Sequence, residues 1–281
     1  MLKSLPVVKP LLVCLSVALC GTFTPHTTSG ADPVKPLKVL LVLGGCCHDY
    51  AAQQEILSKG LTERAHVEVT VAYDPDKTTK HLNPIYENAD WSKGYDVIIH
   101  DECTADVKDL AVIERILDPH RNGLPAVVLH CGMHSFRSEG FPNVTPWFEF
   151  TGLQTTGHGP QVPIDLKFLN PDHAINAGLE NWKTSKEELY NNSAGKLLDT
   201  ATALANGVQM VKNKEGEEVA VESVVIWTNQ YNEKCKVFAT TLGHNNETVS
   251  DPRYLDLVTR GLLWSCGKLQ DDYLKNPPDA K

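Results

Sequence analysis

The chain has no apolar stretch approaching the roughly 20 residues a membrane-crossing helix needs, and its longest uncharged apolar run lies near the amino terminus. Positive charge is also scarce. Against 35 acidic side chains there are 26 basic ones, a formal net charge of −9, whereas a nucleic-acid binder needs a basic footprint. Eight cysteines in 281 residues are too few and too irregularly spaced for a disulfide scaffold. There is no internal repeat, no second core, no H-E-x-x-H and no C-x-x-C, so repeat arrays and the familiar zinc signatures drop out. What remains is globular: 42% apolar, 7% aromatic and 22% charged, long enough for a core that is stable without staples.

The first 31 residues read as a leader. Lys3 and Lys9 give a positive start, and Leu11–Leu19 is an uncharged apolar run of signal-peptide length. Ser29-Gly30-Ala31 fits a small-x-small cleavage site, which would free a chain starting at Asp32. A lipoprotein box ending at Cys20 fits less well, because Leu19 is bulky where a small residue is expected. The expectation is export to the periplasm or the extracellular space, with no membrane span left in the mature chain. Cleavage removes Lys3 and Lys9 and no acidic residue, taking the net charge to −11. Such a surface suits a neutral or cationic small ligand and not an anionic polymer. Self-association into a homo-oligomer stays open.

Beyond the leader, strands and helices alternate. Leu37–Leu43 reads as a buried strand ending in Gly44-Gly45, residues 51–64 as a helix and Val67–Ala72 as a strand. A polar excursion over 74–94 precedes a third strand at Tyr95–His100. Next come a helix marked by Leu110, Ile113 and Leu117, and a strand at Pro125–His130. The alternation calls for a doubly wound, flavodoxin-like, mostly parallel sheet in one α/β domain over 32–270. Its second half is irregular: a Gly- and Pro-rich loop over 141–160, a strand at Val162–Leu169, β-like runs over 197–227 and a strand at Lys236–Leu242. A last helix is capped by Ser250 or Asp251, with Pro252 in its first turn. The tail over 271–281 reads as flexible.

Histidines mark one edge of this sheet. His48, His100, His130, His134 and His244 all fall at or just past carboxyl ends of expected strands, where open α/β sheets bind ligands. Cys46, Cys47, Cys103 and Cys131 share that edge. His66, His81 and His120 read as solvated, and His173 as part of a turn with Asp172.

Several segments together resemble the ThuA-like (trehalose-utilisation) family, whose fold is related to class I glutamine amidotransferases. They are Gly45–Tyr50 (GCCHDY), Val128–Ser135 (VLHCGMHS), Trp147-Phe148-Glu149 with Gly157-His158, Pro171-Asp172-His173, Glu187–Tyr190 (EELY), and Lys236–His244 with Gly261–Trp264. The resemblance spans about residues 37–267. It departs at the Cys46-Cys47 pair, at Glu187 where Asp is usual and at Ala174 where Pro is usual. It implies sugar metabolism, commonly beside oxidoreductases that make keto-sugars.

Three chemistries compete on these residues. Glutamine amidotransfer would make Cys131 the nucleophile, but an elbow needs small residues on both sides and Leu129 and Met133 flank it, so Cys131 reads as a buried space-filler. A divalent transition metal such as zinc would suit imidazole and thiolate ligands, with His130-Cys131-x-x-His134 as the suggestive run. Metal-free acid–base work on a mono- or disaccharide, or its keto form, needs two or three imidazoles near neutrality. This reading takes His48, His130 and His244 as the acid, base and oxygen-polarising groups, with Glu188 orienting them. Tyr50, Trp147 and Tyr190 are candidates to stack on a sugar, and Asp101, His134 and His158 to line its site. A dyad of Asp101 and Glu188 would favour a hydrolase, and a pocket without turnover would make the protein a sugar binder. Adjacent cysteines strain a disulfide, so Cys46 and Cys47 are expected to stay free or find other partners, while Cys235 and Cys266 are candidates to bridge.

Overall fold

Leu37–Gly45, almost all Leu and Val, forms β1, buried on both faces as a central parallel strand must be. It is the second strand of a nine-stranded sheet ordered β2-β1-β3-β4-β9-β8-β7-β5-β6. The first five are β2 (Val67–Asp74), β1, β3 (Val97–Cys103), β4 (Ala126–Leu129) and β9 (Cys235–Thr240), all parallel in the flavodoxin order. The other four are antiparallel: β8 (Glu218–Tyr231), β7 (Ala201–Lys212), β5 (His158–Phe168) and β6 (Lys183–Tyr190). The irregular second half is thus an ordered extension of the same sheet. The computed structural model describes Met1 and residues 34–192, 196–269 and 272–275; the expected leader, with both its processing sites, lies outside the described residues.

Alternation along β1 splits the core in two. Val39, Leu41 and Leu43 face α1 (Tyr50–Arg64) and α5 (Pro252–Ser265). Leu40 and Val42 face α2 (Leu110–Arg121) and α3 (Pro146–Thr151). Side-chain caps fix the helix starts: Asp49 accepts from Ala52 N, Asp109 from Ala111 N and Asp251 from Arg253 N. Four amino-acid residues form α4 (Asn246–Val249) just after β9. Residues 272–275 are tied to the start of β2, with His66 N donating to Tyr273 O and Lys275 N to Arg64 O.

Three elements depart from the expected layout. The third strand runs on to Cys103, so His100 lies inside it instead of at its end. Part of the expected loop over 141–160 is helix α3 and the start of β5. Lys183–Tyr190, which has no clear alternation, pairs as β6 at the edge of the sheet.

Candidate functional site

Three loops at the carboxyl edge of the parallel strands carry the central histidines. His48 follows β1, His130 follows β4 and His244 follows β9. Their rings stand edge to face, with centroids 4.7 Å apart for His48–His130, 4.8 Å for His48–His244 and 5.6 Å for His130–His244. The antiparallel extension supplies the carboxylate. Glu188, near the end of β6, lies 3.3 Å from His244 Nδ1, 3.7 Å from His130 Nε2 and 3.5 Å from His158 Nδ1. Gln161 on β5 holds its other side, donating from Nε2 to Glu188 Oε1 at 3.2 Å.

The sharp bend after β4 falls on His130, whose φ is +37°. Val128 and Gly132 flank it, and a Cβ on Gly132 would approach Val128 Cγ1 to 2.5 Å. The bend therefore presents an imidazole, and not the Cys131 thiol that glutamine amidotransfer would need. Cys131 is buried one residue on, its Sγ 3.0 Å from His48 Nε2 and 3.7 Å from the Tyr190 hydroxyl. Burial pushes its thiol well above the ordinary range, so this contact does not generate a thiolate nucleophile.

Backbone carbonyls fix two tautomers. His130 Nδ1 is 2.6 Å from Thr241 O, and His48 Nδ1 is 3.0 Å from His244 O. A carbonyl only accepts, so each Nδ1 carries the proton and each Nε2 presents a lone pair. The Tyr190 hydroxyl covers the lone pair of His130 at 3.0 Å, and the Cys131 thiol that of His48. Burial lowers His48 to about 4 and His130 well below the ordinary value, so both are neutral bases. His244 goes the other way, raised by its contact with Glu188. Burial works against the Glu188 carboxylate, but His244 and His158 outweigh it and hold its pKa below the ordinary value. The site thus sets two neutral bases beside a histidine–carboxylate pair in which each partner favours the other's charged form.

Of the other expected residues, His158 stands at the rim, with its side chain 42% exposed. His134 stacks on Tyr190 at 4.1 Å between ring centroids and bonds the Thr155 hydroxyl through Nδ1. Tyr190 joins the cluster as a hydroxyl partner of His130 and not as an open ring face, being 1% exposed. Tyr50 is buried edge-on to His48 at 5.5 Å. Asp101 and Cys103 point to the α1/α5 face, where burial raises the Asp101 carboxyl to about 8. Trp147 does not join them. It is fully buried on the α2/α3 face, its Nε1 donating to Gly132 O at 2.9 Å, so it braces the elbow from behind and leaves no face for a sugar.

His100 is also absent from the site. It points to the α2/α3 face with Glu102, opposite to Asp101, and contacts His120 Nε2 at 3.1 Å. His120 and His81, read as solvated, are 0% and 1% exposed. His120 extends the buried stripe Ile113, Ile116, Leu117 of α2, a helical spacing legible in the sequence. The residue most missed is Glu187, which is buried and accepts from the amides of Gly243 and His244 at 3.3 and 3.0 Å, fixing the turn that presents His244. Burial raises its carboxyl to about 7.

The cysteines depart from both expectations. Cys46 and Cys47 are bonded to each other, with Cys47 taking the left-handed turn position at φ +82°. Cys235 and Cys266 are free thiols on opposite faces of the sheet, packed in different halves of the core. Cation ligands are also grouped: single donor atoms of His130, Glu188 and His244 lie within 4.8 Å of one another. A cavity of about 320 Å³ opens beside His48, lined by Tyr50, Tyr73, Asp74 and Lys77 among others. A larger one of about 690 Å³, at Arg64, Leu179 and Arg260, lies by the far end of α1 and touches none of these groups.

A family model described as trehalose utilisation (ThuA) matches residues 38–265. No curated protein matches the chain. Among solved structures, a ThuA-like protein from Parabacteroides merdae ATCC 43184 superposes with a TM-score of 0.63 at 19% identity, covering 87% of this chain and 93% of that one. A ThuA-like protein from Bacteroides uniformis ATCC 8492 gives a TM-score of 0.59 at 16% identity, covering 85% and 95%. At these identities the likeness is one of fold.

Proposed function

Because this chain belongs to the ThuA (trehalose-utilisation) family, we propose that it is a carbohydrate-directed enzyme that moves protons on a keto-sugar through its histidine cluster. The observation that carries this reading is the geometry of three imidazoles around one carboxylate. Backbone carbonyls leave His48 and His130 with Nε2 as a lone pair, while the contact with Glu188 favours the charged form of His244. A neutral imidazole removes the C–H proton α to a carbonyl, and the electron pair moves onto the carbonyl oxygen. The imidazolium stabilises that oxygen by donating a hydrogen bond, and the base returns the proton. His130 Nε2, which lies 3.7 Å from Glu188 Oε2, is the first candidate base.

The test is hydrogen exchange. Keto-forms of mono- and disaccharides incubated with the protein in D2O should gain deuterium at the α-carbon by mass spectrometry, and His130→Ala should lose the exchange while keeping sugar affinity. Clear binding across the panel without exchange or turnover would make the protein a sugar-binding module instead.

A second reading has its own support. A metal-ligating imidazole characteristically donates its other N–H to a carbonyl, as His130 does to Thr241 O, and the His130–Glu188–His244 group would suit a divalent cation such as zinc. Metal analysis of protein purified without a His tag separates the two, since full activity in a metal-free preparation removes the metal. We also place this activity outside the cytoplasm, on the strength of the leader; amino-terminal sequencing of the exported protein should begin at Asp32.

A further inference from the structure

Three sulfur atoms gather where β1 meets β3. In the parallel register Gly45 stands opposite Cys103. Gly45 has φ +98°, and a Cβ there would come within 2.4 Å of Cys103 O. Only glycine lets the two strand ends approach so closely in that conformation. The next residue, Cys46, then places its Sγ 3.4 Å from Cys103 Sγ. Cys46 is already bonded to Cys47, and all three sulfurs lie within 4.8 Å of one another. The three differ in access. Cys103 is a buried free thiol, Cys46 is half-buried and Cys47 is exposed.

We propose that Cys103 exchanges with the Cys46–Cys47 disulfide, moving the bond to Cys46–Cys103 and releasing Cys47 as an exposed thiol open to modification. The Cys103 thiolate attacks Cys46 Sγ. The Cys46–Cys103 bond forms as the Cys46–Cys47 bond breaks, and the electron pair leaves on Cys47. Cys47 takes a proton from solvent in place of the one Cys103 gave up. One disulfide and one thiol are present before and after, so no outside oxidant or reductant enters.

Bringing the leaving sulfur into line with the attack requires Cys47 to swing outward, and exposure leaves it room to do so. Its left-handed backbone, unfavourable for a residue with a side chain, is released by the same movement. The freed thiol is the chemical handle: a low-molecular-weight disulfide would form a mixed disulfide at Cys47 and release one thiol, and an electrophile would alkylate it. Cys131 is the other nearby thiol, but it is buried and engaged with His48. Cys235 donates to Leu124 O at 3.1 Å, on the other side of the sheet.

The experiment needs no substrate and does not depend on the sugar chemistry. Full-length protein purified without reductant is treated with N-ethylmaleimide under native conditions, digested without reduction and mapped by tandem mass spectrometry. The expected map has the label on Cys47 and a cross-linked peptide joining Cys46 to Cys103. Cys103→Ser should lower Cys47 labelling about tenfold or more, since no resolving thiol remains. Label confined to Cys103 beside an intact Cys46–Cys47 bond would overturn the proposal. So would a Cys46–Cys47 bond that stays intact and unlabelled on long incubation, or Cys47 labelling that persists in the variant. The wild-type map stands by itself if the variant folds poorly.

Discussion

Among the described residues the protein holds two histidine clusters, one enclosed on the α2/α3 face and one at the carboxyl edge of the sheet, and they differ in their electrostatics. On the α2/α3 face, His100, His120, Glu102 and Tyr86 form a sealed chain, each residue 0–1% exposed. His120 Nδ1 is 2.7 Å from Leu124 O and so carries a proton, which makes its Nε2 an acceptor. His100 Nε2 must therefore donate to it, leaving His100 Nδ1 as a lone pair 2.7 Å from Glu102 Oε1. That contact requires a protonated Glu102, in keeping with a carboxyl that burial raises to about 7. Every group is neutral, with His100 and His120 both lowered to about 3 by burial. At the sheet edge the same residue types include a partly exposed imidazole on a carboxylate, and charge survives there. Partial solvent access at His244, whose side chain is 15% exposed, against full enclosure at His100 and Glu102, is the physical difference. A histidine becomes a candidate for chemistry here only where one member of its cluster keeps a charge.

The comparison breaks first at alanine. His130→Ala should cost the proposed exchange activity about a hundred- to ten-thousand-fold, the range for losing a positioned acid or base, with a modest change in melting temperature. His100→Ala should do the reverse. It strands Glu102 and His120 in the core, at about 1–3 kcal/mol for the unpaired groups alone, while the folded fraction keeps its exchange rate. Thermal melts and D2O exchange on both variants decide it, and a large activity loss in His100→Ala would merge the two clusters into one machine.

Much of this contrast was legible before any coordinates, and the rest was hidden by parity and register. The Leu and Val runs of β1 and β4 and the carboxyl-edge positions of His48, His130 and His244 follow from continuous burial in a parallel sheet. Glu188 was recognisable through the Glu187–Tyr190 segment, although the strand carrying it was not, because an edge strand with the pattern KTSKEELY shows no two-residue alternation. His100 escapes its place inside the strand because the apolar run stops at Ile99, four residues before β3 does. Buried Asp101 and Glu102 look like a loop when read by composition. Which residue takes the bend after β4 is hidden for a similar reason: sequence locates a bend to within a residue or so, and one residue decides which side chain it presents. Glu187 acts by accepting backbone amides from a turn more than fifty residues away, which no local pattern encodes.

A subtler test replaces Glu by Gln in each cluster. At the edge, Glu188→Gln removes the charge that holds His244 above its ordinary value, so the His244 pKa should fall toward about 6.5. A raised histidine contributes stability that is complete below its unfolded pKa and is lost as pH rises through its folded one. The variant therefore loses this contribution, and the alkaline limb of activity moves to lower pH. The acid limb, set by a His130 that burial holds well below the ordinary value, lies too low to mask this shift. NMR titration of His244 reads the shift without any substrate. In the sealed cluster, Glu102→Gln removes the titrating acid; because Tyr86 and His100 share Oε1, the amide satisfies one of them and costs a constant, pH-independent deficit at the other. Wild-type Glu102 sheds its proton on unfolding between the ordinary carboxylate value and about 7, so its fold loses stability as pH rises across that window. The variant should gain on wild type between pH 5 and pH 8 by thermal melting, and an equal deficit at both values would refute the neutral chain.

The smallest effect separates bracing from binding at Trp147. Its indole N–H donates to Gly132 O directly behind the elbow that aims His130, and its ring lies edge-on to His100 at 5.4 Å. Trp147 thus touches both clusters without sharing the chemistry of either. Trp147→Phe keeps an aromatic ring but leaves that carbonyl without its donor, at a cost of about 1 kcal/mol and a melting temperature lower by about 2–4 °C. Sugar affinity should not change, because the ring is enclosed and presents no face to a ligand. The exchange rate should fall slightly as the elbow loosens, by much less than in His130→Ala. A clear loss of sugar affinity at unchanged stability would instead return Trp147 to the binding surface that its place in a Gly- and Pro-rich loop suggests.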